Sequence, residues 1–190
     1  MTRDLMFKDE IQQLVAAAYR GLDEPDGPGR DFYDGEQLAE LPRAASSWTL
    51  GVGNPLPHAG LRPGERVVDL GCGAGVDALL AARQVRPGGH VTGVDLLAEM
   101  VERARSLGRQ AGLDNVDFRR AEMEDLPLAD DSADVVISNG SINLSARKSR
   151  VLAEAFRVLR PGGRLAVADL TIREEELPPE VIGHPSAWAG

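Results

Sequence analysis

An α/β chain with a doubly wound parallel sheet is what this sequence predicts, and three observations predict it. Five short runs rich in Val, Leu, Ile or Phe, near 66–70, 90–95, 116–120, 134–138 and 164–170, read as strands bounded by turn residues. Helical patterns alternate with them, and that alternation implies a parallel sheet with helices on both faces. Between the first strand and the first of these helices stands Val67-Val68-Asp69-Leu70-Gly71-Cys72-Gly73-Ala74-Gly75. There a β-branched run enters three glycines spaced G-x-G-x-G, and a helical pattern starts at Val76-Asp77.

The elements follow in order. Phe7, Ile11, Leu14, Val15 and Ala18 recur at helical spacing and predict an amphipathic helix over 5–20. Residues 21–31 hold turn formers and acids without periodicity and read as a loop. Residues 36–60, with Trp48 and Gly51-Val52-Gly53-Asn54-Pro55-Leu56-Pro57, read as a second irregular segment. Residues 1–60 are thus expected to form a helical cover on a core over 61–190. The apolar stripe of the first helix needs a surface to bury against. The cover is therefore expected to fold over the ligand and order on binding, as lids do, with Phe32, Tyr33 and Trp48 as aromatic contacts.

In the core, Leu97, Met100, Val101, Ala104, Leu107 and Ala111 form one apolar helical stripe, and Val151, Leu152, Ala155, Phe156 and Leu159 another. Pro87-Gly88-Gly89 and Pro161-Gly162-Gly163 each stand just before a strand, the punctuation of an α-to-β turn. After Asp95 the sequence Leu96-Leu97-Ala98 offers no Ser, Thr or Asp to cap the next helix. A missing N-cap costs about 0.5–2 kcal/mol, so burial of Leu97 is expected to offset it.

In an open α/β sheet the ligand lies beyond the carboxyl ends of the strands, where the strand order reverses. Four strand ends present polar groups here: Asp69 with the glycine loop, Asp95-Leu96, Ala121-Glu122-Met123-Glu124, and Ser138-Asn139-Gly140. Glycines let a ligand approach bare backbone, and the free N–H groups of the following helix face an anion. Asp95 follows Gly75 by 20 positions, where a carboxylate can hold ribose hydroxyls. A dinucleotide-binding fingerprint would place its third glycine at position 76, which is Val76. Asn54, Asn139, Ser141 and Asn143 are the candidates for contacting a substrate beside that ligand, and all are neutral. No Ser-His-Asp or Cys-His set stands out, so no catalytic base is assigned.

Composition narrows the partners. The formal charge is −9, from 30 acidic and 21 basic residues, which repels phosphate backbones and argues against nucleic acid. Arg103, Arg105, Arg109, Arg119 and Arg120 are interleaved with Glu102, Asp117 and Glu122 and read as solvated faces. No apolar run of about 18 residues and no basic-then-apolar leader is present, so no membrane partner and a cytoplasmic location are expected. The single cysteine, Cys72, permits no intramolecular disulfide. His58, His90 and His184 lack metal-ligand spacing, and no metal is expected.

From about Trp48 onward the chain resembles the arsenite methyltransferases and, through them, the class I S-adenosylmethionine-dependent methyltransferases. The matching pieces are Leu50-Gly51-Val52-Gly53-Asn54-Pro55, Val68 to Gly75, Val94-Asp95, Val135 to Ser145 and Glu154 to Gly163. The resemblance implies a Rossmann-like core that binds S-adenosylmethionine. Its amino-acid end would lie on Gly71, Cys72, Gly73 and Gly75 with Asp69 meeting the ammonium. Its ribose would lie on Asp95, and its adenine between Leu96 and Met123 with Glu122 near the exocyclic amine. Asn139 would complete the cofactor set. Arsenite methyltransferases hold arsenic with cysteine thiolates, and where two of these are expected this chain has Val52 and Gly140. The expected acceptor is therefore a small organic molecule. A cofactor-binding module without turnover and an arsenite methyltransferase stand as alternatives. The expected sheet stops at its fifth strand, whose uncharged edge suggests a homodimer or a separately encoded subunit, with Val181, Ile182 and Trp188 as anchors.

Overall fold

The computed structural model describes residues 3–20, 27 and 29–171, with the side chains of 3–9, 11 and 20 outside that description. Its centre is a five-stranded sheet, β1 (Arg66–Leu70), β2 (His90–Asp95), β3 (Val116–Arg120), β4 (Ala133–Asn139) and β5 (Leu159–Ala168). The strand order is β3-β2-β1-β4-β5 and every neighbouring pair is parallel. β1 pairs with β2 on one side and β4 on the other, so the order reverses at the carboxyl ends of β1 and β4.

Side chains of each strand alternate between two apolar layers. Val67, Val91, Val135, Ile137 and Ala166 enter one layer with α5 (Val76–Gln84) and α6 (Ala98–Gln110). Val68, Leu70, Val94 and Val136 enter the other with α7 (Lys148–Val158). Burial on both faces is why β1 and β4 read as nearly unbroken Val/Ile/Leu runs. The first layer also holds Ala16, Tyr33, Leu41, Ala45 and Trp48, so the N-terminal segment packs on the sheet's own core.

That segment is more regular than its sequence suggests. α1 runs Arg3–Arg20, and the stretch expected to be irregular contains α2 (Gly35–Ala39), α3 (Arg43–Ser46) and α4 (Leu56–Ala59). Helices of four or five residues are too short to show a periodic stripe. Their signals are local: Asp34 and Gln37 form a capping box on α2. Most of the expected 21–31 loop lies outside the described residues, as do Val181, Ile182 and Trp188.

Two apolar stripes differ from expectation. On α1, Ala16 is buried and Gln12, Val15 and Tyr19 are half-buried, while Leu14 and Ala18 face solvent. The inward face is thus the one carrying Gln12 and Tyr19, polar groups that the cavity below accepts. On α7, Val151, Glu154, Ala155 and Val158 are buried, whereas Leu152 and Phe156 are 45% and 82% exposed. Glu154 takes the inward position because it is fully bonded there. It accepts from the Leu126 N–H at 2.9 Å and from Arg157 at 2.9 and 2.7 Å. Counting hydrophobic residues reads such a glutamate as outward-facing. Phe32, proposed as an aromatic contact, is half-exposed, whereas Tyr33 and Trp48 are buried.

At the start of α6 no side chain caps the helix, and Leu97 is buried as expected. Asp95 Oδ1 accepts from the Leu97 N–H at 2.9 Å and so fixes the turn that leads into the helix.

Candidate functional site

Beyond the carboxyl ends of β1, β2 and β4, a cavity opens between the glycine loop and the N-terminal segment. β1 delivers Asp69, then the chain turns through Gly71 and Gly73, both at positive φ (66° and 52°), into α5. The two glycines serve different ends. A Cβ on Gly71 would collide with the Ser141 side chain, whereas a Cβ on Gly73 would meet nothing within 4 Å. Gly71 lets the loop close on the 139–141 turn, and Gly73 leaves bare backbone facing the cavity.

Asp95 ties that loop to β2. Its Oδ2 accepts from the Gly73 N–H at 2.9 Å while Oδ1 accepts from Leu97. Each oxygen keeps a further lone pair for a ligand. Burial raises the Asp95 carboxyl above its usual range, and the backbone bonds oppose that.

Asp69 is 2% exposed, and its Oδ2 has no hydrogen-bond partner. Burial first, then the nearby Asp77 and Asp95 charges, push this carboxyl well above the ordinary carboxylate value. An orphaned carboxylate oxygen on a cavity wall is a position that a ligand cation or donor would satisfy.

Opposite the glycine loop runs a polar network linking residues far apart in sequence. Tyr33 donates its hydroxyl to Asp77 Oδ1 at 2.8 Å, and Asn139 Nδ2 donates to Asp77 Oδ2 at 3.0 Å and to Tyr33 Oη at 3.1 Å. Asn139 Oδ1 accepts from the Val52 and Gly53 N–H groups at 2.9 and 3.2 Å, and Nδ2 also reaches the Gly53 carbonyl at 2.8 Å. The carboxamide at the end of β4 thus fixes the 51–53 loop over the cavity. Burial pushes Asp77 up to about 6, with Asn139 and Tyr33 opposing. Burial and Asp77 raise the Tyr33 phenol far above its usual value.

Of the residues singled out from sequence, Asp69, Gly71, Cys72, Gly73, Asp95, Leu96, Glu122, Met123, Asn139 and Ser141 line this cavity together. Gly75, Asn54 and Asn143 do not. Gly75 lies against Phe118 and Ala104, each about 3 Å from where its Cβ would stand, so helix packing explains it. Asn54 donates to the Phe32 carbonyl and Gln37 and accepts from the Leu56 N–H, holding the turn that leads into α4. Asn143 donates its side-chain amide to the Leu170 carbonyl and its backbone N–H to Asp169 Oδ2, closing the turn against the end of β5. Ser141 lines the cavity, but its hydroxyl donates to the Leu70 carbonyl at 2.7 Å and adjoins Ser138. The Cys72 thiol is buried and held neutral by burial and by Asp69 and Asp95.

Sequence reading missed Asp77, Tyr19 and Gln12, all on the cavity wall, and the hydroxyl role of Tyr33, which it had offered only as an aromatic contact. Asp77 alone carried a signal: an acid in the first turn of a helix that follows a glycine loop. Among the described residues lining the cavity there is no Lys, Arg or His, against five carboxylates, Asp69, Asp77, Asp95, Glu122 and Glu124. Among the described residues no group of acids, histidines and cysteines can hold a metal ion, and no helix is long and apolar enough to cross a membrane.

This architecture is that of a known class. A family profile described as a methyltransferase domain matches residues 61–189. The chain belongs to that family, as a class I, S-adenosylmethionine-dependent methyltransferase fold. Within it the chain is similar to the arsenite branch. It is 44% identical over 167 residues to an arsenite methyltransferase of Halobacterium salinarum, covering 88% of this chain and 42% of that protein. It superposes with a TM-score of 0.71 and 41% identity on an arsenic(III) S-adenosylmethionine methyltransferase of Chlamydomonas reinhardtii, covering 87% of this chain and 55% of that one. It is also 36% identical over 143 residues to the 27-O-demethylrifamycin SV methyltransferase of Amycolatopsis mediterranei, covering 74% of this chain and 50% of that protein. The chain spans about half or less of the length of each.

Proposed function

We propose that this chain binds S-adenosylmethionine in the cavity and transfers its methyl group to a small organic molecule. The observation that carries the reading is the buried, unpartnered Asp69 Oδ2 beside the open Gly73 backbone. The orphaned oxygen suits the ammonium of an amino acid, and the open space at Gly73 lets the ligand approach the backbone closely. Asp95 would hold the ribose with its remaining lone pairs, and Leu96 and Met123 would flank the adenine near Glu122. Bound there, S-adenosylmethionine supplies a methyl whose bond to sulfur breaks, with its electron pair staying on sulfur, as the acceptor atom bonds to carbon.

The chain's own work is to hold the acceptor close in a dry space, where effective molarity supplies much of the rate. Asn139 fixes the 51–53 loop and α1 brings Gln12, Val15 and Tyr19 over the opening. We read this N-terminal segment as a cover. Proteolysis between residues 23 and 34 should slow when S-adenosylhomocysteine is present, and equal cutting rates would refute the cover.

An organic acceptor is favoured over arsenite by positions 52 and 140. A Cβ on Gly140 would stand 3.4 and 3.5 Å from the two methyl groups of Val52. The two places where the arsenite branch would present thiolates therefore adjoin, and here both lack sulfur. The test has two stages. Calorimetry should show micromolar binding of S-adenosylmethionine, about −8 kcal/mol, that Asp95→Ala weakens strongly. Incubation with the cofactor and fractionated metabolites should then release S-adenosylhomocysteine; tight binding without turnover identifies a binding module. Methylated arsenic formed from arsenite and a thiol reductant would restore the arsenite reading. We further propose self-association along β5, an edge strand whose Leu165 and Val167 are 39% and 43% exposed. Light scattering at about 100 μM should give twice the 20.3 kDa chain mass if so.

A further inference from the structure

Residues 48–53 run along the cavity as a strap anchored at both ends. The 52–53 end is bonded to Asn139 at the end of β4. The other end is the buried Trp48, which lines the cavity together with Thr49, Leu50 and Gly51. Sequence patterning reads Arg103 as part of a solvated face, and it is exposed on α6, one turn beyond the lining residue Met100. Yet its guanidinium carbon lies 3.7 Å from the centre of the Trp48 ring. That is van der Waals contact, with a cation drawn to the negative face of the ring. Arg103 stands outside the cavity lining, so it reaches the cavity only through that ring.

We propose that Arg103 positions the Trp48 ring as a rigid wall of the cavity and so raises affinity for a ligand it does not touch. The inference rests on the cofactor reading above and adds a positioning residue to it. Trp48 belongs to the N-terminal segment and Arg103 to α6, so the stack joins two parts of the chain that enclose the ligand. Apolar packing buries the indole, but packing of that kind is non-directional. A planar guanidinium on one face fixes the tilt of the ring as well. A wall that is already fixed costs a ligand less ordering than one it must fix on arrival.

The test uses the full chain carrying Trp188→Phe, which leaves Trp48 as the sole tryptophan, with S-adenosylhomocysteine as the probe. Trp48 emission should shift when the probe binds. Arg103→Ala should weaken calorimetric binding about two- to fivefold, the range expected of one exposed cation on an aromatic ring. It should also change the Trp48 emission of the free protein. Arg109→Ala removes an exposed arginine further along the same helix and should leave both readouts at the level of the starting chain. In a Trp48→Leu background, Arg103→Ala should weaken binding no further, because the ring it acts through is gone. The idea is overturned if Arg103→Ala binds as tightly as its parent or if Arg109→Ala weakens binding equally. It is also overturned if bound probe leaves Trp48 emission unmoved, or if the loss persists without the ring. A lowered melting temperature with unchanged binding would mark a merely structural contact. Should the Trp48→Leu chain fail to fold, the two arginine variants and the emission decide alone. No binding of the probe by the starting chain sinks the cofactor reading itself, an outcome distinct from binding that Arg103 does not affect.

Discussion

The two walls of the cavity are built by different means. On the glycine-loop wall, Asp69, Gly71, Gly73 and Asp95 are placed by the ends of β1 and β2, and their hydrogen bonds stay within the first half of the sheet. On the opposing wall, Tyr33, Asp77, Asn139 and the 51–53 loop are brought together from four separate segments. The first wall is a property of strand, turn and helix. The second is a property of one carboxamide, Asn139, which makes five hydrogen-bonding contacts across at least 62 positions of sequence. The lesson is that the first wall should fail one residue at a time, the second as a unit.

The largest effect breaks the first wall. Gly71→Ala forces a side chain into positive φ, about 1–2 kcal/mol, and into the Ser141 side chain, about 1–3 kcal/mol more. Denaturation should show a loss of about 2–5 kcal/mol. Gly73→Ala has only the backbone term, because its Cβ meets open space. It should lose only about 1–2 kcal/mol and yet bind S-adenosylmethionine poorly. Equal stability losses in the two variants would erase the distinction between a glycine needed for closure and one needed for access.

The second wall yields next. Asn139→Ala leaves the Val52 and Gly53 N–H groups and the Asp77 Oδ2 without their partner, while Tyr33 still donates to Oδ1, at about 1–3 kcal/mol for the groups left unpaired. Adding Tyr33→Phe to it should cost less than the sum of the two single changes, since both act on Asp77. Strict additivity in this double-mutant cycle would show that the network is not one unit.

This contrast also explains what the sequence made legible. The starts of the first three strands, the glycine loop and Asp95 follow rules that span a few residues, and all could be placed without coordinates. The stripe on α7 went astray at Glu154, because hydrophobicity cannot see that Arg157 three residues later and the Leu126 N–H satisfy that carboxylate. Asn54 and Asn143 were plausible acceptor groups only until their turn bonds were visible. Tyr33 was recognised as an aromatic contact, yet its hydroxyl partner lies 44 positions away and no local pattern announces it.

Two buried acids of opposite character give a smaller effect, one that sharpens the comparison through pH. Glu154 is held down to about 2 by its Arg157 pair, so its contribution is present above the unfolded value near 4.5 and lost as pH falls through the folded one. Removing the negative charge with Glu154→Gln should therefore lower the melting temperature at pH 6 and matter less near pH 3.

The cavity acids titrate the other way, and this is the smallest shift. Burial raises Asp77 to about 6 from an ordinary 3.8, and it raises Asp69 and Asp95 in the same direction. The folded state then binds more protons than the unfolded chain between those values, so stability falls as pH rises through that window. Facing Asp77 are Tyr33, Asn139 and Asp69, and facing Asp69 is Asp95; none supplies a positive charge. Between pH 5 and 7 the free protein should lose a few degrees of melting temperature, at roughly 2–4 °C per kcal/mol for a chain of this size. S-adenosylmethionine brings positive charge to these acids, so the thermal shift it produces should grow over the same interval. In Asp77→Asn both slopes should flatten. A ligand-induced shift independent of pH in wild type would mean that the cavity carboxylates are already neutralised by groups other than the ligand.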